Sequence, residues 1–384
     1  MSETPTEVNH KKSYLYFANL DGIRAIAALM VVISHIEYHK VDYGFQRFEF
    51  LNLSHFGGIG VTIFFSLSGF LITYLLLEEK KKFNGIGMRD FYTRRILRIW
   101  PLYFLVVLTG FFIYPAQGST TGFLMSVFFV PSLAFCMHML PSIFDPIWSI
   151  GTEEQFYIFH PHIFKIKKRE NILKVLIIIC LSIIVFATII HSMPVRSKGF
   201  EAFNKVLYYA RFDNMMIGAI VALLYYNTKW PEFTFRYQKL FNALFNKYMQ
   251  WLIILGIIMI TLLDVTHGIP RADLPLSILS ALLIANLCES QTSVLSFKGS
   301  GLKFIGKISY GIYLLHKYPL FLTFYLVKRY LPDAGPVSQN LIFYFGSMVL
   351  IIALATVSYY GYERYFLRLK TRFQKISQSK AATV

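Results

Sequence analysis

The chain has 384 residues, of which 55% are hydrophobic, 17% aromatic and only 15% charged, and its formal net charge is +17. The apolar residues come in blocks of about 16 to 25 with few charges between, the length of helix that crosses a bilayer core. This excludes an ordinary soluble domain. It also excludes nucleic acid as a partner, because the basic residues form no stripe on a soluble domain and read instead as the cytoplasmic excess of a membrane protein.

The opening "MSETPTEVNHKK" is polar, with no short apolar core or small-residue cleavage site, so no removable signal peptide is expected. Apolar runs follow near residues 15–37, 57–77, 98–115, 122–138, 147–164, 171–191, 203–226, 250–264, 273–288, 304–327 and 340–362. They are continuous rather than alternating, so they predict helices and not a barrel. The fold class is therefore all-α, a polytopic integral membrane protein. Between the runs, "EEKKKFNGIGMRDFYTRR", "KIKKREN", the 227–249 connection, "KGSGLKFIGK" and the tail "RYFLRLKTRFQKISQSK" are basic. All of them share one side only if 122–138 and 147–164 together cross once. The expectation is ten transmembrane helices plus a re-entrant or surface segment near 122–145, with both the N and C termini cytoplasmic. The run 122–138 is the better non-crosser, being short and containing Pro131 before "HMLPSIFDP". No internal repeat or second domain is visible. The organisation reads as a tail over 1–14, one membrane domain over 15–367 and a basic tail over 368–384. Cys136, Cys180 and Cys288 lie far apart in apolar runs, as buried thiols rather than a disulfide frame or metal site.

An ionisable side chain at mid-bilayer costs a few kcal/mol (~2.5–3.5 on insertion scales) and is a functional candidate by default. In "LDGIRAIAALMVVISHIEYHK" (20–40), Asp21, Arg24, Ala28, Val31 and His35 share one helical face. Arg24 and His35 then stand roughly 16 Å apart along it. Gly22, Ala25, Ala27 and Ala28 keep that helix slim for a close neighbour. In "FYTRRILRIWPLY", Arg94, Arg95 and Arg98 cluster at i, i+3 and i+4 spacing, either as membrane anchors or as forks for phosphate. In "PIWSIGTEEQFYIFHP", the adjacent carboxylates Glu153 and Glu154 are about 100° apart on a helix. One can face a cavity while the other meets a neighbouring helix. Arg211, Asp213, Tyr310, Tyr313, His316 and Glu363 are lesser candidates, equally well explained by packing or ion pairs between helices. There is no HExxH, no G-x-S-x-G elbow and no Walker loop, and no metal is expected.

In order along the chain, "LDGIRAIAALMVVISH", "FFSLSGFLIT" (64–73), "FYTRRILRIWPLY", "WSIGTEEQFYIFHP" and "ISYGIYLLHKYPL" resemble the signatures of the acyltransferase-3 family of membrane O-acyltransferases. The resemblance runs from about residue 16 to 367. It implies a ten-helix domain of the bacterial cytoplasmic (inner) membrane. Such a domain carries an acyl group, often acetyl, from cytosolic acyl-CoA to a hydroxyl of a surface polysaccharide such as lipopolysaccharide, or its lipid-linked precursor. The family's arginine-ten-residues-histidine pattern falls on Arg24 and His35, its R-x-x-R on Arg95 and Arg98, and its W-S-x-x-x-E on Trp148, Ser149 and Glu153. Its glycine-phenylalanine-leucine signature falls on Gly69, Phe70 and Leu71. Gly151 and Thr152 depart from the family's small-plus-aliphatic pair, which is expected to loosen the backbone there. Some members add an extracellular esterase-like domain, which these residues do not contain, so this type either completes transfer itself or passes the acyl group to a separate polysaccharide-assembly protein.

The resemblance implies that the polyanionic donor, acetyl-CoA or another acyl-CoA, rests its phosphates on Arg24, Arg94, Arg95 and Arg98, with its thioester near His35. His35 is then the general base, oriented by Glu153 directly or through another polar group; an acyl-histidine is the rival mechanism. Asp21, Trp148, Ser149, Glu154 and His316 are expected to support the site. The acceptor is a surface glycan or lipid-linked saccharide, and lipid is the surrounding partner. The lone membrane domain favours surface polysaccharide over peptidoglycan. A transporter is the alternative reading, since polytopic proteins with buried charge often move solutes.

Overall fold

The computed structural model describes residues 17–47, 53–113, 119–195, 197–229, 238–262, 273–288 and 293–373. The tail 1–14, the last part of the basic tail (374–384) and residues 230–237 of the 227–249 connection lie outside these. Among the described residues there is no strand. The helices are α1 (Ala18–Lys40), α2 (Phe56–Phe83), α3 (Met88–Ile113), α4 (Thr120–Val127), α5 (Pro131–Cys136), α6 (Ile147–Ile163), α7 (Arg169–Ser192) and α8 (Lys198–Ala210). They continue as α9 (Phe212–Thr228), α10 (Gln238–Asn242), α11 (Lys247–Leu262), α12 (Leu274–Cys288), α13 (Ser300–Leu315) and α14 (Lys317–Tyr330). The last, α15 (Pro336–Phe373), is one long helix carrying π-helical turns at Ile342–Gly346 and Tyr359–Glu363.

Six helical stretches among the described residues are long and apolar enough to cross a membrane: Asn19–Tyr43, Leu53–Phe83, Met88–Ile113, Arg169–Ser192, Lys198–Thr228 and Pro336–Phe373. The protein is an integral membrane protein. The other runs form shorter helices. α11 and α12 have 16 and 15 residues, and α6 has 17. The run 304–327 is shared between α13 and α14, although the helical bonding continues through His316 (Leu320 N to His316 O, 3.1 Å).

The 122–145 segment is broken, as Pro131 predicts. α4 and α5 have eight and six residues, and the chain turns through left-handed backbone at Phe129 (φ 57°) and His138 (φ 54°). Freed carbonyls there are satisfied by neighbours: Gln155 Nε2 donates to Phe129 O at 2.8 Å and the Tyr103 hydroxyl to Ser126 O at 2.8 Å. Such satisfaction is what permits irregular backbone at membrane depth. Gly151 does not loosen α6 but makes room, because a Cβ there would fall on the Pro131 ring. The expected run 203–226 is also split, at Arg211, which adopts φ 43°. Arg211 Nη1 donates to Thr62 Oγ1 (2.8 Å) and its Nε lies 3.8 Å from Asp273 Oδ2, so this arginine ties α8 and α9 to α2.

The centre of the bundle is built on small residues. α1 lies between α2 and α13, with Ala25, Ala27 and Ala28 fully buried. A Cβ on Gly306 would strike the Asp21 backbone, so α13 rides directly on the start of α1. α2 and α9 cross equally closely. A Cβ at Gly69 would fall inside the backbone of Met215, and one at Gly218 inside that of Ser66. Overpacking such a crossing costs about 1–3 kcal/mol. Gly69→Ala and Gly218→Ala should therefore each lower the thermal midpoint in detergent. Gly301→Ala, where nothing lies within 4 Å of the new methyl, should leave it unchanged or raised. Equal midpoints for all three would refute the close crossing.

Candidate active site

A cavity opens among α1, α2, α3, α6 and α13, with Arg24, Arg95, Arg98, Glu153, Tyr157 and Tyr313 in its lining. The slim face of α1 brings Arg24 to it. Arg24 Nη1 donates to Asp21 Oδ1 at 2.7 Å, so Asp21 orients the guanidinium while partly balancing the charge in the wall. Arg95 lies against two aromatic faces, 5.7 Å from the Phe91 ring centre and 5.5 Å from that of Tyr157. Its Nε is buried with no partner among the described residues. A planar guanidinium held over aromatic rings keeps its in-plane donors for an anion.

Arg94 sits apart from the other two arginines. Its Nη2 lies 2.9 Å from Glu79 Oε2 and its Nη1 donates to Phe373 O at 2.9 Å. It fastens α3 to α2 and to the end of α15, and does not line the cavity. The step of about 100° between consecutive residues separates Arg94 from Arg95, and Arg98, which falls between them on the helix face, joins Arg95 in the lining.

The glutamate pair divides as two adjacent residues on a helix must. Glu153 lines the cavity and accepts from the Tyr157 hydroxyl at 2.9 Å, while Tyr157 also bonds Ser68. Glu154 turns to α3, accepting from Trp100 Nε1 at 2.8 Å. Trp148 packs among Phe65, Phe135 and Tyr209, so its role is to seat α6. Ser149 lies in the cavity wall, with its hydroxyl 2.6 Å from that of Tyr313.

His35 is half-buried, and its partner is His316 rather than Glu153. The nitrogens His35 Nδ1 and His316 Nε2 are 2.7 Å apart, with the rings nearly parallel at 10°. The other nitrogen of His316, Nδ1, faces two carbonyls of its own helical turn, Tyr313 O at 2.8 Å and Ile312 O at 3.2 Å. A carbonyl only accepts, so His316 Nδ1 carries a proton, and in the neutral ring its Nε2 is then an acceptor. His35 Nδ1–H must donate to it. That leaves His35 Nε2 with its lone pair free, the form a general base requires.

Sequence reasoning placed His316 only in a supporting role and missed Tyr157 and Ser68. Tyr157 could have been found as the residue one turn beyond Glu153. It also missed the ion pair beside the histidines: Lys317 Nζ lies 2.6 Å from Asp145 Oδ1 and donates to Ser142 O at 3.0 Å. Two isolated charges in apolar surroundings were the available signal. Among the described residues no group of three or more His, Cys, Asp or Glu is placed to hold a metal, and Cys136, Cys180 and Cys288 are free thiols.

The sequence profile described as "Acyltransferase domain" matches residues 17–360, which takes in every residue of this site. The chain belongs to the acyltransferase-3 family. It is 28% identical to the peptidoglycan O-acetyltransferase OatA of Listeria monocytogenes, over 79% of this chain and 49% of that protein. It is 26% identical to YrhL of Bacillus subtilis, provisionally named a peptidoglycan O-acetyltransferase, over 92% of this chain and 56% of that protein. A Staphylococcus aureus (strain COL) protein, provisionally named an O-acetyltransferase, is 28% identical over 94% of this chain and 58% of its own length. The chain thus spans about half the length of these relatives. No solved structure matches it significantly.

Proposed function

We propose that this acyltransferase-3 protein transfers an acyl group, acetyl foremost, from acyl-CoA to a hydroxyl of a cell-envelope glycan. The observation that carries the reading is one helix, α1, presenting Arg24 to an arginine-lined cavity and His35, about 16 Å further along, with Nε2 free as a base. The arginine end suits the phosphates of CoA, and the histidine end suits a hydroxyl nucleophile. In the step proposed, His35 Nε2 takes the proton as the acceptor oxygen attacks the thioester carbonyl. The C–S bond breaks, and the departing thiolate receives the proton from the imidazolium.

Ten crossings with both ends in the cytoplasm is the arrangement that gathers the basic connections on one side, and it puts the arginines toward cytosolic CoA. The setting proposed is the cytoplasmic membrane of a bacterium. The names of the relatives favour peptidoglycan as the acceptor over lipopolysaccharide, against the preference drawn from the lone membrane domain.

The test is release of free CoA by the detergent-purified chain supplied with acetyl-CoA, with and without an envelope glycan extract. Release that depends on the extract, with acyl groups found on the glycan by mass spectrometry, is the expected result. Substrate flux across vesicles without covalent change would replace this reading with the transporter. Arg95→Ala and Arg98→Ala should each raise the Michaelis constant for the donor about 10-fold or more, the scale of a lost charge-assisted bond at ~1.5–3 kcal/mol. An unchanged donor constant in both would remove the arginines from CoA binding.

A further inference from the structure

We propose that a second cavity, at the end of α1 opposite the arginines, is the acceptor site and takes an uncharged sugar ring. The inference rests on the transferase reading above. The cavity has a volume of about 630 Å³, within the ~300–1,000 Å³ range of small-molecule sites. Its lining includes Asp42 and Tyr43, which follow α1, and Tyr318, Phe321 and Tyr325 of α14. The last three are spaced i, i+3 and i+7 and so share one helical face.

That chemistry fits a saccharide. A sugar ring offers a C–H face that packs on flat aromatic rings and a rim of hydroxyls. Tyrosine pairs an apolar body with a polar tip, and a carboxylate is an acceptor for several hydroxyl donors. Among the described lining residues none is cationic, and the nearby Lys317 is engaged by Asp145 and Ser142 O. The site is thus the electrostatic opposite of the arginine cavity and has nothing to hold the phosphates of the donor.

His39 joins this cavity to His35. Asp42 Oδ2 lies 2.7 Å from His39 Nδ1, and His39 sits one turn beyond His35 with ring centres 5.9 Å apart. Its ring meets that of Phe321 edge to face, with centres 4.9 Å apart. His39 is only 4% exposed, yet its Nε2 has no partner among the described residues. His39 stands behind the lining rather than in it, and its Nδ1–H donated to Asp42 fixes the carboxylate that the cavity presents. A ring held on Tyr318 and Tyr325 by Asp42 lies about two helical turns (~10 Å) from the proposed base, with His39 and Phe321 between them.

Binding is tested apart from catalysis, by saturation-transfer-difference NMR of the detergent-purified full chain with the N-acetylglucosamine tetramer as probe. Tyr325 is 57% exposed and the Asp42 side chain 58% exposed, so replacing either leaves the packing intact. The wild type should bind the tetramer, and Tyr325→Ala and Asp42→Asn should each weaken binding at least about tenfold, with CoA affinity kept within about twofold. No binding by the wild type overturns the proposal. So does equal binding by the variants, which would leave these tyrosines as an interfacial belt. Saccharide binding that obeys these residues in a protein releasing no CoA with any acceptor would keep the site and remove the transferase reading.

Discussion

His35→Ala should lower glycan-dependent CoA release by about 10²–10⁴-fold, the usual contribution of a positioned general base. The reason is geometric. His35 Nδ1 is committed to His316, so Nε2 is the nitrogen left to take the acceptor's proton. The residue is half-buried rather than at the centre of a core, and its replacement removes one ring without creating an unpaired charge. The variant should therefore keep its thermal midpoint and its donor Michaelis constant while losing turnover. Full activity in His35→Ala would refute both the general-base step and a covalent acyl-histidine. Lost turnover together with a collapsed midpoint would instead assign the ring to structure.

The second large effect is at His316, which is fully buried and, in the proposed reaction, would act through His35 as a positioning residue. It must donate to Tyr313 O and accept from His35 Nδ1–H at the same time. Phenylalanine fills a similar space and can do neither. Without an acceptor, His35 is free to turn or to carry its proton on Nε2, which removes the base. Loss of a partner that fixes a catalytic imidazole's tautomer is worth up to ~10⁴ in serine proteases, so His316→Phe is expected to cost about 10²–10⁴-fold in turnover. His316→Gln can both donate and accept, and should recover at least about tenfold over the phenylalanine variant. A merely structural role would not discriminate the two by hydrogen-bonding capacity. Equal activity of Gln and Phe, at equal thermal midpoints, would refute the relay.

The wall between the two ends of α1 links the arginine-lined cavity to the histidines. Ser149 and Tyr313 belong to the arginine-lined cavity, and the carbonyl of that same Tyr313 holds His316. Glu153 is thus connected to the histidines through the placement of α6 against α13, not by contact with His35. Its neighbours in the cavity are Tyr157 and the arginines, so it is placed to balance their cationic charge rather than to touch His35.

Much of this was legible in the residues. Continuous apolar runs compel helices, because lipid offers no partner to an open backbone, and Arg24, Arg95, Arg98, Glu153 and His35 stand out because charge in such runs is costly. Helical spacing also separated Glu153 from Glu154 in advance. What spacing along one helix cannot state is which other helix arrives opposite. That His35 meets His316, 281 positions away, and that Arg94 is taken by Glu79 while Arg95 stays in the cavity, were settled only by packing. The small face of Gly306 lets α13 approach α1 closely enough to bring His316 opposite His35. The number of crossings was likewise not set by apolar length, since α11, α12 and the paired α13 and α14 are short enough for their neighbours and not their composition to decide how they sit. The sequence alone thus determined that the chain is a helical membrane protein of acyltransferase type with an arginine end and a histidine end. The tertiary structure decided which nitrogen of that histidine is free, because a tautomer is set by the hydrogen-bond partner and not by the residue that carries it.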